Sequence, residues 1–112
     1  MSAPIATRLW LAQRASAAVL ALCVAVHLAT MIAAVRGGLS AADILGRTRG
    51  SFGWAAFYGL FVLAVSIHVP IGLRTVAAEW LGWRGGAADA ACAVCGIALL
   101  LLGAGAIAAV TQ

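Results

Sequence analysis

Three apolar stretches, at about residues 9–35, 52–78 and 89–110, dominate this chain. Each is as long as the roughly 20 residues with which a helix, rising 1.5 Å per residue, crosses a hydrocarbon core about 30 Å thick. A chain of 112 residues that is 65% hydrophobic and 9% charged lacks the polar surface to cover a soluble fold. Inside a bilayer the backbone must satisfy its own hydrogen bonds, which leaves helices or a closed barrel. The expected fold is therefore all-α: an integral membrane three-helix transmembrane bundle, with residues 1–112 as a single membrane-anchor domain. A secretory signal is the rival reading of the first stretch, but its apolar region far exceeds the 7–15 residues of a signal core. Three crossings put the two ends of the chain on opposite sides of the membrane.

Charge excludes some functions and leaves orientation open. The seven basic residues, all arginine, stand against three acids and form no run that would suit nucleic acid. Arg8, Arg14, Arg74 and Arg84 fall on the amino-terminal side, and Arg36, Arg47 and Arg49 on the other. That balance is too even for the positive-inside rule to decide.

In the first span Gln13, Ser16, Cys23, His27 and Thr30 fall within an arc of roughly 100°, a polar stripe that should face protein, cofactor or water rather than lipid. Residues 37–51 read as a solvated connector, although Ser40 and Asp43 form a shortened capping box able to start one or two surface turns. Trp54, Phe57 and Tyr58 near one end of the second span, and Trp80 and Trp83 near the other, mark the two membrane interfaces. Pro70 frees a carbonyl one turn earlier, so a bend is expected there, with the Ser66 hydroxyl helping to resatisfy the backbone. Gly85 and Gly86 break the helix before the third span, where Asp89 suits the helix dipole. Cys92 and Cys95 lie in an apolar helix without a nearby histidine, a pattern that fits small-residue packing better than metal or redox chemistry.

The chemistry concentrates in Ser66–Trp80. At about 100° per residue, His68, Gly72, Thr75 and Glu79 share one stripe, which Phe57, Phe61, Ala64 and Val65 continue backwards. Gly72 opens a gap one turn from the imidazole, where a flat group could lie, and Arg74 can supply positive charge at its polar edge. A haem with its propionates fits that description.

The order His68-x-x-x-Gly72-Leu73-Arg74-x-x-x-x-Glu79, with Gln13-Arg14-Ala15-Ser16-Ala17 opening the first span, resembles the cytochrome b membrane-anchor subunit of succinate dehydrogenase and fumarate reductase, most closely its three-helix C-type form. The resemblance runs over essentially the whole chain. It implies that His68 is an axial ligand of haem b, that Arg14 and Arg74 lie near haem propionates or quinone, and that Ser16 lines the quinone approach. Glu79 stands where the family has Asp. Gln13 replaces a family His, Ala17 a Gly and Thr75 a His, and Trp10 occupies the turn before Arg14 where a quinone-contacting Ser is usual.

Helix rise puts His27 about 27 Å from the amino-terminal face and His68 about 16 Å, so the two cannot grip one iron. His68 then needs an imidazole from another chain, and His27 becomes a second candidate ligand, for a second haem. The resemblance further implies flavoprotein and iron-sulfur subunits as partners, a second anchor chain, identical or different, and ubiquinone or menaquinone as substrate. The setting it implies is multi-pass in a bacterial cytoplasmic membrane. On that reading the chain is a subunit of an enzyme without succinate chemistry of its own, relaying electrons between the iron-sulfur subunit and quinone. Two other functions are compatible with the residues alone: a haem-free scaffold whose histidines bond across helices, and a proton-conducting subunit using His27 and Glu79.

Overall fold

A computed structural model of the protein describes residues 2–112. It contains four helices: α1 (Ala3–Gly37), α2 (Ala41–Thr48), α3 (Phe52–Trp80) and α4 (Gly86–Thr111). Three of them, α1, α3 and α4, are long and apolar enough to cross a membrane, which makes the protein an all-α, multi-pass membrane bundle. Pro4 in the first turn of α1 loses no helical hydrogen bond there, and Gly38 ends the helix at a φ of 129° while its N–H reaches Ala34 O. At 35 residues α1 is roughly 50 Å long, more than the hydrocarbon core requires, so it projects beyond the core or tilts within it.

The connector at 37–51 is more ordered than the solvated loop expected from its composition. Ser40 and Asp43 close a complete capping box: Ser40 Oγ accepts from Asp43 N at 3.1 Å, and the Asp43 carboxylate accepts from Ser40 N at 3.2 Å. Two of the helix's orphan donors are thereby satisfied. At its other end α2 docks on the end of α4. Thr48 Oγ1 donates to Val110 O at 2.6 Å, Arg49 Nε to Gln112 O at 2.9 Å and Gly50 N to Thr111 O at 2.7 Å. These carbonyls have no partner within their own helix, and the loop supplies the donors.

The long helix α3 is central. It packs against α1 on one side and α4 on another, while α1 and α4 hardly meet. Among the described residues the buried positions are all small, including Ser16, Cys23, Ala64, Ala77, Ala88 and Cys92. Small residues let helix backbones approach closely, which is how association is driven where lipid removes the hydrophobic incentive. The large apolar side chains point outward, as with Leu22, Leu60 and Leu102.

Helix α3 continues through Pro70. The carbonyl it frees, Ser66 O, faces α4 at Gly96, where an added Cβ would stand 3.0 Å from that oxygen. The expected help from the Ser66 hydroxyl is not given, because Ser66 Oγ is buried without a hydrogen-bond partner among the described residues.

Candidate functional site

The polar stripe of α1 and the histidine stripe of α3 form one seam. Near its middle, His68 Nδ1 lies 3.3 Å from Ser16 Oγ, and Ser16, only 6% exposed, donates its hydroxyl hydrogen to Gln13 O at 3.0 Å. One turn along α3 towards the amino-terminal face, the gap at Gly72 is entered by a side chain of α1. Gln13 Nε2 stands 3.2 Å from the position a Gly72 Cβ would take. The space expected beside Gly72 is shared with a long polar side chain, which the packing of α1 on α3 directs there, although Gly72 still lines an open cleft. Gln13 Oε1 is buried there with no hydrogen-bond partner among the described residues.

Above this point the seam opens into a cleft of about 520 Å³, lined in part by Trp10, Gln13, Gly72, Arg74 and Thr75. The structure therefore brings Trp10 and Arg74 to one cavity. Ser16 lies deeper, against His68. Arg14 turns onto its own helix, with its guanidinium 5.2 Å from the centre of the Trp10 ring, a cation–π contact. Arg74 is not an isolated cation: Nε contacts Asp89 Oδ1 of α4 at 2.5 Å. A second, polar hollow of about 420 Å³ lies beside that pair and is lined by Glu79, Trp83 and Arg84 among others. Arg74 forms part of the wall of both cavities. Asp89, expected only to face the α4 dipole from its first turn, thus also ties α4 to α3.

His27 belongs to a separate cluster nearer the opposite face. Its Nδ1 is 3.3 Å from Tyr58 Oη, and its ring meets Tyr58 and Phe61 edge-on, with both centroid separations 5.9 Å. Thr30 donates to His27 O at 2.7 Å. A crevice of about 450 Å³ opens beside the ring between Val62, Val65 and Leu102, and a smaller apolar cavity of about 280 Å³ runs from it towards Ile44 and Thr48 of α2. The two histidines thus have different partners at different levels of the same seam.

Gln13 was read as part of the polar stripe and as a departure from the family pattern, but its contact with Gly72 was not expected from the sequence. Tyr58 was read as an interface aromatic. The spacing 58, 61, 65, 68, 72 alternates three and four, which puts Tyr58 at the edge of the histidine stripe, about 80° from His68, beside Phe57.

A search of curated proteins and one of solved structures gave no match. A comparison with protein-family models did: the model for the succinate dehydrogenase/fumarate reductase transmembrane subunit matches residues 1–105. That match spans all three membrane helices up to the last turns of α4 and contains every residue of the seam between α1 and α3. The chain is a member of the succinate dehydrogenase/fumarate reductase transmembrane subunit family.

Proposed function

We propose that this subunit holds haem b through His68 and connects an iron-sulfur partner to membrane quinone. The observation that carries the reading is the state of His68: its Nδ1 is engaged by Ser16, and no described hydrogen bond occupies Nε2. A neutral imidazole with one nitrogen oriented by a hydrogen bond and the other clear is the donor that iron requires. Beside Ser16 the small side chains of Ala12, Ala15 and Ala64 leave a shallow apolar groove of about 250 Å³, compatible with an apolar macrocycle edge or the second chain that would complete the site. A haem held through His68 would supply a one-electron relay between the iron-sulfur partner and quinone.

His68 and His27 meet different partners at different levels of the seam, so a haem held by His68 would need its second protein donor from another anchor chain. Quinone, as ubiquinone or menaquinone, enters the cleft at the amino-terminal face. There Trp10 offers a ring to stack on, Arg74 a charged donor and Gln13 an amide. Arg14 against Trp10, Glu79 in the neighbouring hollow and Ser16 against His68 complete the haem-propionate and quinone surroundings on this reading. Flavoprotein and iron-sulfur subunits outside the membrane carry out the succinate or fumarate chemistry, and the setting is a bacterial cytoplasmic membrane. A second reading, of His27 as ligand to a second haem, rests on the crevice open beside its ring.

The test is the complex purified with His68→Ala. Loss of a b-type haem from its reduced-minus-oxidised spectrum, with the subunits still associated, is the expected result. Full haem content with an unchanged spectrum would sink the assignment.

A further inference from the structure

The geometry points to Ser16 as the positioning residue that sets the tautomer and donor strength of His68, a role distinct from any contact with quinone and one that rests on the haem reading above. A hydroxyl has one hydrogen and two lone pairs. Ser16 commits that hydrogen to Gln13 O, three residues back on its own helix, at 3.0 Å. Towards His68 Nδ1, 3.3 Å away, it can then only accept. Nδ1 must carry the imidazole proton, and the lone pair resides on Nε2, the nitrogen that would face iron. The relay runs His68 Nδ1–H to Ser16 Oγ–H to Gln13 C=O. It lies inside the helix seam, with Ser16 only 6% exposed, so water has little access to compete for either bond.

His27 shows that this arrangement is specific to His68. Its Nδ1 faces Tyr58 Oη, and no second acceptor for the phenol hydrogen is described. That hydroxyl is free to donate or to accept, so the His27 tautomer is not fixed by its surroundings.

A hydrogen bond accepted from Nδ1–H raises the basicity of a metal-bound imidazole, and losing such a support typically lowers metal affinity about 10- to 100-fold. A more basic ligand favours the oxidised iron, so Ser16 holds the haem potential down. The experiment compares wild-type, Ser16→Ala and Ser16→Thr complexes by haem per complex, by the dilution series over which haem is lost, and by redox titration of the haem band.

Ser16→Ala is expected to lose haem at concentrations about 10-fold higher than wild type and to titrate at a higher potential, with Ser16→Thr returning both towards wild type. An unchanged potential in a haem-loaded Ser16→Ala complex would overturn the assignment. So would equal shifts in the alanine and threonine variants, which would indicate packing alone. Should the alanine variant fail to assemble, Ser16→Cys, similar in size but a poor acceptor, is expected to show the raised potential, and a wild-type value there would overturn the proposal. Failure of the underlying reading is separately visible, as a wild-type complex without haem or a His68→Ala complex that keeps it.

Discussion

Gln13 Nε2 lies 3.2 Å from the point where Gly72 would carry a Cβ, so two helices meet here through a side chain on one and the lack of a side chain on the other. The contact tolerates a methyl group but not a branch. Gly72→Ala would ask the end of a flexible side chain to move a few tenths of an ångström, while helix propensity returns about 0.5–1 kcal/mol. Stability within about 1 kcal/mol of wild type is expected. Gly72→Leu should expel Gln13 from the seam and disturb His68 one turn away, lowering haem content. Thermal unfolding and haem quantification of both variants check this, and a leucine variant indistinguishable from alanine would contradict it.

The face of α3 that meets α4 is less forgiving. A Cβ on Gly103 would meet Val62 Cγ1 at 2.5 Å and Cγ2 at 2.7 Å, and a β-branched side chain has little rotamer freedom with which to yield. Gly103→Ala should destabilise the bundle by about 1–3 kcal/mol, as overpacking does, and Val62→Ala in the same chain should recover most of that. Gly96→Ala differs because its Cβ would stand 3.0 Å from both Pro70 Cγ and the backbone oxygen of Ser66, so no trimming of one valine relieves it. Thermal melts of the two glycine variants, each with and without Val62→Ala, should show rescue at residue 103 alone.

Much of this arrangement was legible in the sequence because membranes impose few choices. Length and apolarity announced three helices, and the polar stripe from Gln13 to Thr30 announced the seam. What the sequence concealed was the partner of each polar atom. Arg74 read as a cation for propionates because local spacing says nothing of Asp89, fifteen residues away on the next helix. Gly72 read as a gap because one-helix periodicity cannot show a side chain arriving from α1. The helix at Ala41–Thr48 was underestimated for a similar reason: its capping box was visible, but the docking of Thr48 and Arg49 on the end of α4 depends on tertiary contact.

The capping box also predicts a pH response. Hydrogen bonds from the Ser40 side chain and backbone, with a smaller contribution from Arg47, hold the Asp43 carboxyl below its ordinary range. A carboxylate whose folded value is depressed stabilises its helix fully above the unfolded aspartate value of about 3.9, and that contribution disappears as pH falls through the lower folded value. Amide exchange at Ser40 and Asp43 should therefore be faster in Asp43→Asn than in wild type at neutral pH, after correction for intrinsic rates. The difference should close as the medium is acidified below the folded value. A difference that persists unchanged into strong acid would mean that the carboxylate is not what holds the cap.

The cluster around His27 allows the second-haem reading to be separated from simple packing. If His27 ligates iron, His27→Ala should remove one of two spectroscopically distinct haems and spare the one held by His68, because the two rings occupy different levels of the seam. Tyr58→Phe, which deletes the hydroxyl 3.3 Å from His27 Nδ1 but keeps the ring, should retain both haems and shift the potential of the His27 haem alone. Packing makes a different demand. A hydrogen bond between membrane helices is worth about 0.6 kcal/mol on average, so its loss should lower stability slightly and leave haem stoichiometry untouched. A wild-type complex with one haem per pair of anchor chains, unaltered by either substitution, would restrict His27 to bridging α1 and α3 and leave the role of His68 as it stands.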